Sequence, residues 1–142
     1  MSVTAMRPRE AVATRLIGVD PAVRSSELYE LAKLRMSHPG GVGQVEATRW
    51  AGAYDGLRLV AAVGWIEEKP GMWMVVEVDK TDDHWGKIGV IVLIRQLIEA
   101  SEKYGFRLQA LILPGNVKLK AALEREGAKI AVEIWEKFKE PT

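Results

Sequence analysis

The chain has 142 residues, of which 48% are hydrophobic and 27% are charged, and this is the size and composition of one globular domain over residues 1–142. Its 20 basic and 19 acidic residues leave a formal net charge of +1, without the basic patch that nucleic-acid binding requires. The absence of cysteine excludes disulfides and thiolate chemistry, and the most apolar stretch, Ile88–Ile98, is too short to cross a membrane.

The first third of the chain predicts a short strand followed by two helices. Val3–Pro8 is typical of a strand that a proline ends. Arg9–Ile17 has apolar residues four positions apart, which favours a short helix ended by Gly18. Asp20-Pro21 then resembles a helix start, and the apolar spacing after it predicts a second helix to about Met36.

The middle of the chain predicts three antiparallel strands in succession. Ala47–Tyr54 and Leu57–Ile66 flank Asp55-Gly56, which is a typical hairpin turn sequence. Lys69-Pro70-Gly71 marks the next turn, and Met72–Asp79 alternates between two faces as the third strand.

The last third returns to helical spacing and then alternates. A long apolar helix around Val90–Ser101 ends at Gly105, and Arg107–Leu113 forms a short strand. Asn116 begins another helix, and Ile130–Phe138 alternates as a final strand. The predicted order is β-α-α-β-β-β-α-β-α-β, which is an α/β (α+β) fold with a mixed central sheet flanked by helices.

This order of elements, together with local motifs, resembles the GCN5-related N-acetyltransferase (GNAT) superfamily. Met6-Arg7-Pro8 resembles the opening strand of the family, and Trp73–Asp79 resembles the strand that pairs with the pantetheine of acetyl-CoA. His84–Gly89 lies where the family has its pyrophosphate loop, and Asn116 precedes Gly127-Ala128 as in the Asn-to-Gly-Phe segment of the family. Short phage-borne members, some of them virion components, are similarly abbreviated.

The resemblance implies a binding site for acetyl-CoA. A helix N-terminus attracts phosphate, and glycines let the backbone approach it closely. Asn116 would shape the acyl end, and Trp85 would either stack on adenine or block the pocket. If CoA binds here, Gly86→Asp is expected to abolish binding without unfolding the domain. The expected cofactor-binding residues are Val76, Val78, Trp85, Gly86, Lys87, Ile88, Gly89, Val90 and Asn116.

The candidate catalytic residue is Glu77, which lies in the strand that would face the thioester. Burial between two valines would raise its pKa and suit it to act as a general base, directly or through water. An outward-pointing carboxylate is the alternative, and Asp79 is a second candidate. Where many family members have a proton-donating tyrosine, this chain has Leu123. His38 and His84 lie far apart in predicted loops, which does not indicate a metal site.

Two functions therefore remain open. One is an acetyl-CoA-dependent N-acyltransferase acting by direct transfer on a small-molecule or protein amine. The other is an inactive GNAT-fold structural or interaction module with protein partners, for example a phage virion component. The family loop reads Gln/Arg-x-x-Gly-x-Gly/Ala, and in the two nearest alignments its Gln/Arg position is Asp83 or His84 and one of its glycines is replaced. This missing pattern, together with Leu123, favours the second function. The expected location is cytoplasmic, or the virion for a structural protein, and the apolar long helix makes a homo-oligomer plausible.

Overall fold

The computed structural model describes residues 12–37 and 45–110, with residues 121, 124 and 125. The predicted strands at Val3–Pro8 and Ile130–Phe138 lie outside these residues. Among the described helices, none is long and apolar enough to cross a membrane. In chain order the elements are β1 (Val12–Leu16), α1 (Arg24–Ser37), β2 (Arg49–Asp55), β3 (Arg58–Lys69), β4 (Met72–Lys80), α2 (His84–Tyr104) and β5 (Arg107–Ala110).

The five strands form one mixed sheet in the order β1-β2-β3-β4-β5. Neighbours from β1 to β4 are antiparallel, and β5 is parallel to β4. Helix α2 connects β4 to β5, as a parallel pair requires a crossover. The predicted α+β class with a mixed sheet is confirmed.

The two helices cover opposite faces of the sheet. Helix α2 packs on the larger cluster and α1 on the smaller one, and each large aliphatic side chain buried there stabilises the fold by about 1.5–3 kcal/mol. The α2 cluster includes Ala53, Ala61, Val63, Trp65, Val75, Val90, Leu93, Ile94 and Leu97. The α1 cluster contains Ile17, Leu31, Leu34, Tyr54, Leu59 and Ala62.

Both predicted hairpin turns are confirmed. Asp55 pairs with Arg58, and Lys69 pairs with Met72, so each turn has two residues. Gly56 and Gly71 have φ of 63° and 78° in these turns, a region that glycine enters without steric cost. The predicted end of the long helix at residue 105 is confirmed as well.

The predicted helix at Arg9–Ile17 is wrong, because Val12–Leu16 is strand β1. It pairs antiparallel with β2 from Val12–Asp55 to Leu16–Ala51. A spacing of four residues places two side chains on one face of a helix, but four is also a multiple of the strand period of two. The spacing therefore could not distinguish the two structures, and pairing with β2 decided between them.

Helix α1 begins later than predicted. The carboxylate of Asp20 accepts a hydrogen bond from the Ala22 amide, which forms a turn, and the helix itself starts at Arg24. Its buried residues are Glu27, Leu31 and Leu34.

Strand β4 contains an extra residue in its middle. Trp65 pairs with Val75, but the preceding Gly64 pairs with Glu77, so Val76 is inserted as a β-bulge. Val78 consequently packs toward the α2 cluster, while Glu77 reaches Arg35 on α1. The simple alternation predicted for this strand is therefore interrupted at the bulge.

Candidate functional site

The bulge places Glu77 on the α1 face of the sheet, and Glu77 is only 7% exposed there. Arg35 of α1 donates from Nε to Oε2 at 2.8 Å and from Nη2 to Oε1 at 3.0 Å. This two-point geometry gives strong, directional hydrogen bonds between guanidinium and carboxylate. The alternative of an outward-pointing, solvated Glu77 does not hold in this structure.

The environment of Glu77 keeps it ionised at neutral pH. Burial raises the pKa of Glu77, but hydrogen bonds with Asp79 and Arg35, and the charge of Arg35, lower it further than burial raises it. The sequence predicts that burial raises the pKa of Glu77. In the structure its pKa is instead below the ordinary value, so this prediction is wrong. Asp79, the second candidate, is 1% exposed and lies two residues further along the same strand.

The site extends across the sheet to the aromatic ring of Trp50. Trp50 on β2, Gly64 on β3 and Glu77 on β4 are cross-strand neighbours in one row. A Cβ at Gly64 would lie 2.8 Å from the Trp50 ring, so the ring lies over the bare glycine backbone. The Arg35 guanidinium lies 4.9 Å from the centre of the same ring, within cation–π range, and its Nη2 is 3.4 Å from Glu46 Oε2.

A second buried carboxylate on this face was missed in the sequence. Glu27 accepts hydrogen bonds from Arg15 Nε and from the Gly18 amide, and it is 2% exposed. The Arg15 guanidinium lies over the Tyr54 ring, and burial raises the pKa of Tyr54. Glu27 shares its helical face with Leu31 and was detectable from that spacing. The hydrogen bonds from Arg15 and Gly18 to Glu27 join the end of β1 to α1.

The segment expected to be a pyrophosphate loop forms the first turns of α2. Asp83 caps the helix by accepting a hydrogen bond from the Gly86 amide at 3.1 Å. Hydrogen bonds from Thr81 and Arg58, and then from Gly86, hold the pKa of Asp83 down to about 2. A carboxylate therefore already occupies the position at which a helix N-terminus attracts anions.

The two glycines of this segment serve packing. A Cβ at Gly86 would collide with the Thr81 carbonyl oxygen, so Gly86→Asp would disturb the helix start itself and is not a clean test of ligand binding. A Cβ at Gly89 would lie 2.9 Å from that of Ala61 and 3.0 Å from that of Ala53. Gly89 thus lets α2 approach the sheet closely.

The other expected cofactor residues differ in how far they are exposed. Lys87 is exposed, and Val90 belongs to the core. Trp85 and Ile88 are half-buried and pack against the α2 cluster. Val76 is buried at the bulge, and Asn116 lies outside the described residues.

Strand β4 pairs with β5 beside the site. Its described pairing with β5 runs from Met72–Arg107 to Val75–Ala110, and β4 itself continues to Lys80. The bulge at Val76 follows directly after the last of these pairs. Strand β4 is the one whose sequence resembles a pantetheine-binding strand.

Comparison with solved structures identifies the architecture. A ribosomal-protein-alanine N-acetyltransferase from Brucella melitensis biovar Abortus 2308 matches with a TM-score of 0.59 and 21% identity, over 84% of this chain and 92% of that one. The chain has the GNAT fold.

Two further structures with the GNAT fold also match. An IAA acetyltransferase from Bacillus cereus ATCC 14579 gives a TM-score of 0.51 and 14% identity, covering 80% of this chain and 74% of the other. An aminoglycoside 6'-N-acetyltransferase from Acinetobacter baumannii gives 0.53 and 12%, covering 82% and 91%. No family model and no curated protein matches the sequence. At identities this low, the matching structures show the fold alone. The reaction therefore has to be argued from the residues of the site.

Proposed function

We propose that this protein is an acetyl-CoA-dependent N-acyltransferase that transfers the acetyl group directly to an amine. The carrying observation is the bulge at Val76, which turns an ionised, buried Glu77 toward Arg35 of α1. The GNAT fold supports the proposal, because the matching structures are named as acetyltransferases.

In the proposed reaction the amine nitrogen attacks the thioester carbonyl carbon. A C–N bond forms, the C–S bond breaks, and CoA leaves as thiolate. The nitrogen becomes strongly acidic as it bonds to carbon, so even a carboxylate of lowered pKa can accept its proton, directly or through water. Glu77 has this role, and Arg35 fixes its position.

The backbone of β4 supplies the remaining contacts in this proposal. The extra residue of a bulge has backbone groups outside the regular ladder, and backbone amides can stabilise negative charge on a carbonyl oxygen. Val76 and Val78 would contact the pantetheine chain along β4. Lys87, which is exposed on the first turns of α2, would meet the pyrophosphate. Asn116 stays a proposed contact to the acyl end.

The start of α2 favours a second function. In this alternative the protein is a GNAT-fold module that binds protein partners and has no catalytic activity. The Asp83 carboxylate caps the helix, and Arg58 Nη2 holds it at 2.8 Å. This arrangement places a negative charge where pyrophosphate would bind. Trp85 and Ile88 pack onto the core beside it.

Isothermal titration with acetyl-CoA, with CoA alongside, separates the two functions. Saturable micromolar binding supports the enzyme, and a panel of amines then follows with thiol release as the readout. Glu77→Gln should keep acetyl-CoA binding and lose transfer, while exposed Glu30→Gln should keep both. The absence of binding at millimolar ligand would favour the protein-binding module.

A further inference from the structure

A cavity of about 360 Å³ lies on the far side of Trp50, where β1 ends and α1 and β2 begin. Its wall is mostly apolar, and three of its large side chains are well exposed: Leu16 at 51%, Val19 at 65% and Leu28 at 42%. Apolar side chains that remain exposed around a concavity favour an apolar ligand group.

Two arginines line the cavity, Arg24 and Arg49, and the Arg49 guanidinium lies 5.6 Å from the centre of the Trp73 ring. Arg24 lines the cavity, and within the described ranges it takes part in no ion pair. In contrast, Arg15 and Arg35 are bound to Glu27 and Glu77. An apolar wall that carries Arg24 without a described ion pair complements a molecule with an apolar body and a carboxylate end.

Trp50 belongs both to the cavity wall and to the candidate site. This residue lines the cavity, and it stands in the same cross-strand row as Glu77, with Gly64 between them. Two strand spacings separate the backbones of Trp50 and Glu77 by about 10 Å. Gly64 has no side chain, and the Trp50 ring covers its backbone, so the ring itself reaches from the cavity toward Glu77.

We propose that this cavity binds the distal end of the acceptor. The acceptor is then an amine whose apolar chain ends in a carboxylate, with at least about 10 Å between nitrogen and carboxylate. The amine lies at Glu77, the chain crosses Trp50, and the carboxylate meets Arg24. This inference rests on the proposed acetyl transfer for the role of the amine, but the ligand chemistry of the cavity does not depend on it.

The first test measures binding without acetyl-CoA. Octanoate, which has the chain and the carboxylate but no amine, should bind the full chain saturably in isothermal titration. Arg24→Gln should weaken this binding about tenfold or more, because a charge-assisted hydrogen bond is lost. Lys33→Gln, an equal charge change at an exposed position of α1, should leave it unchanged. Equal octanoate affinity in wild type and Arg24→Gln would overturn the proposal.

The second test measures transfer to matched amines. 8-Aminooctanoate should be acetylated with a lower KM than octylamine or 4-aminobutanoate, and Arg24→Gln should remove this preference with little change in kcat. Equal KM values for 8-aminooctanoate and octylamine would overturn the proposed acceptor class, although the acetyltransferase function would still hold. Arg24-dependent octanoate binding without any transfer would instead overturn the proposed function and support the ligand class of the cavity.

Discussion

Arg35 holds the carboxylate of Glu77 with two of its nitrogen atoms, at 2.8 and 3.0 Å, from a position 42 residues earlier in the chain. The contact joins α1 to the bulged strand at the point where the site needs a fixed carboxylate. Because Glu77 is buried and Arg35 only partly so, the pair is less screened by solvent than a surface ion pair.

A double-mutant cycle should therefore give a measurable coupling. Glu77→Gln and Arg35→Met are expected to be coupled by about 1.5–3 kcal/mol in the free energy of unfolding, as for hydrogen bonds to charged groups. Urea unfolding of the four proteins at pH 7 measures this. The exposed pair Lys33–Glu30 is the control, with an expected coupling below about 0.5 kcal/mol. Equal couplings for both pairs would contradict the structure.

The same pair should make stability depend on pH. The pKa of Glu77 is lower in the folded protein than its ordinary value of 4.5, so the stabilisation is complete above that value and disappears as pH falls through the folded pKa. The stability difference between wild type and Glu77→Gln should be constant from pH 7 to about 5 and shrink toward pH 3. A difference that stays unchanged at pH 3 would mean that another group carries it.

The cap of α2 should limit the affinity for acetyl-CoA. Asp83→Asn keeps a side chain that can accept from the Gly86 amide, but it removes a negative charge. We expect acetyl-CoA to bind about threefold to tenfold more tightly at low salt, with a smaller gain at high salt. Titration at two ionic strengths measures this, with Glu30→Gln as a remote charge control. Unchanged affinity in Asp83→Asn would place the pyrophosphate elsewhere.

The close approach of α2 to the sheet should make Gly89 irreplaceable. Alanine is better than glycine in a helix by about 1 kcal/mol, but its Cβ would meet Ala61 and Ala53 at 3.0 Å or less. Overpacking costs about 1–3 kcal/mol, so Gly89→Ala should destabilise overall. Thermal unfolding measures it against Gln96→Ala on the exposed side of α2. A higher melting temperature for Gly89→Ala would contradict this packing.

Local patterns predicted the hairpins and the long helix well. Strands β2, β3 and β4 alternate over short stretches, and Gly56 and Gly71 mark the turns between them. The helix-ending Gly105 was equally clear. Each of these signals depends on residues close in sequence, so the sequence alone contains them.

Long-range contacts account for the parts that the sequence did not reveal. Strand β1 exists because Val12–Leu16 finds a partner in β2, and its own spacing fits a helix as well. Arg35 lies within the helix that the sequence predicts to about Met36, but its bond to Glu77 depends on how α1 packs. The use of Gly89 as a packing residue depends likewise on β2 and β3, which lie far away in sequence.

The inserted Val76 also settles how β3 and β4 align during folding. If the strands annealed without the bulge, Glu77 and Asp79 would turn toward the α2 cluster, and Val78 would turn away from it. Two carboxylates among Trp65 and Leu93 would cost several kcal/mol each. The two carboxyl groups at the candidate site therefore destabilise the misaligned strand pairing. They favour the native alignment of β3 and β4 even when no ligand is bound.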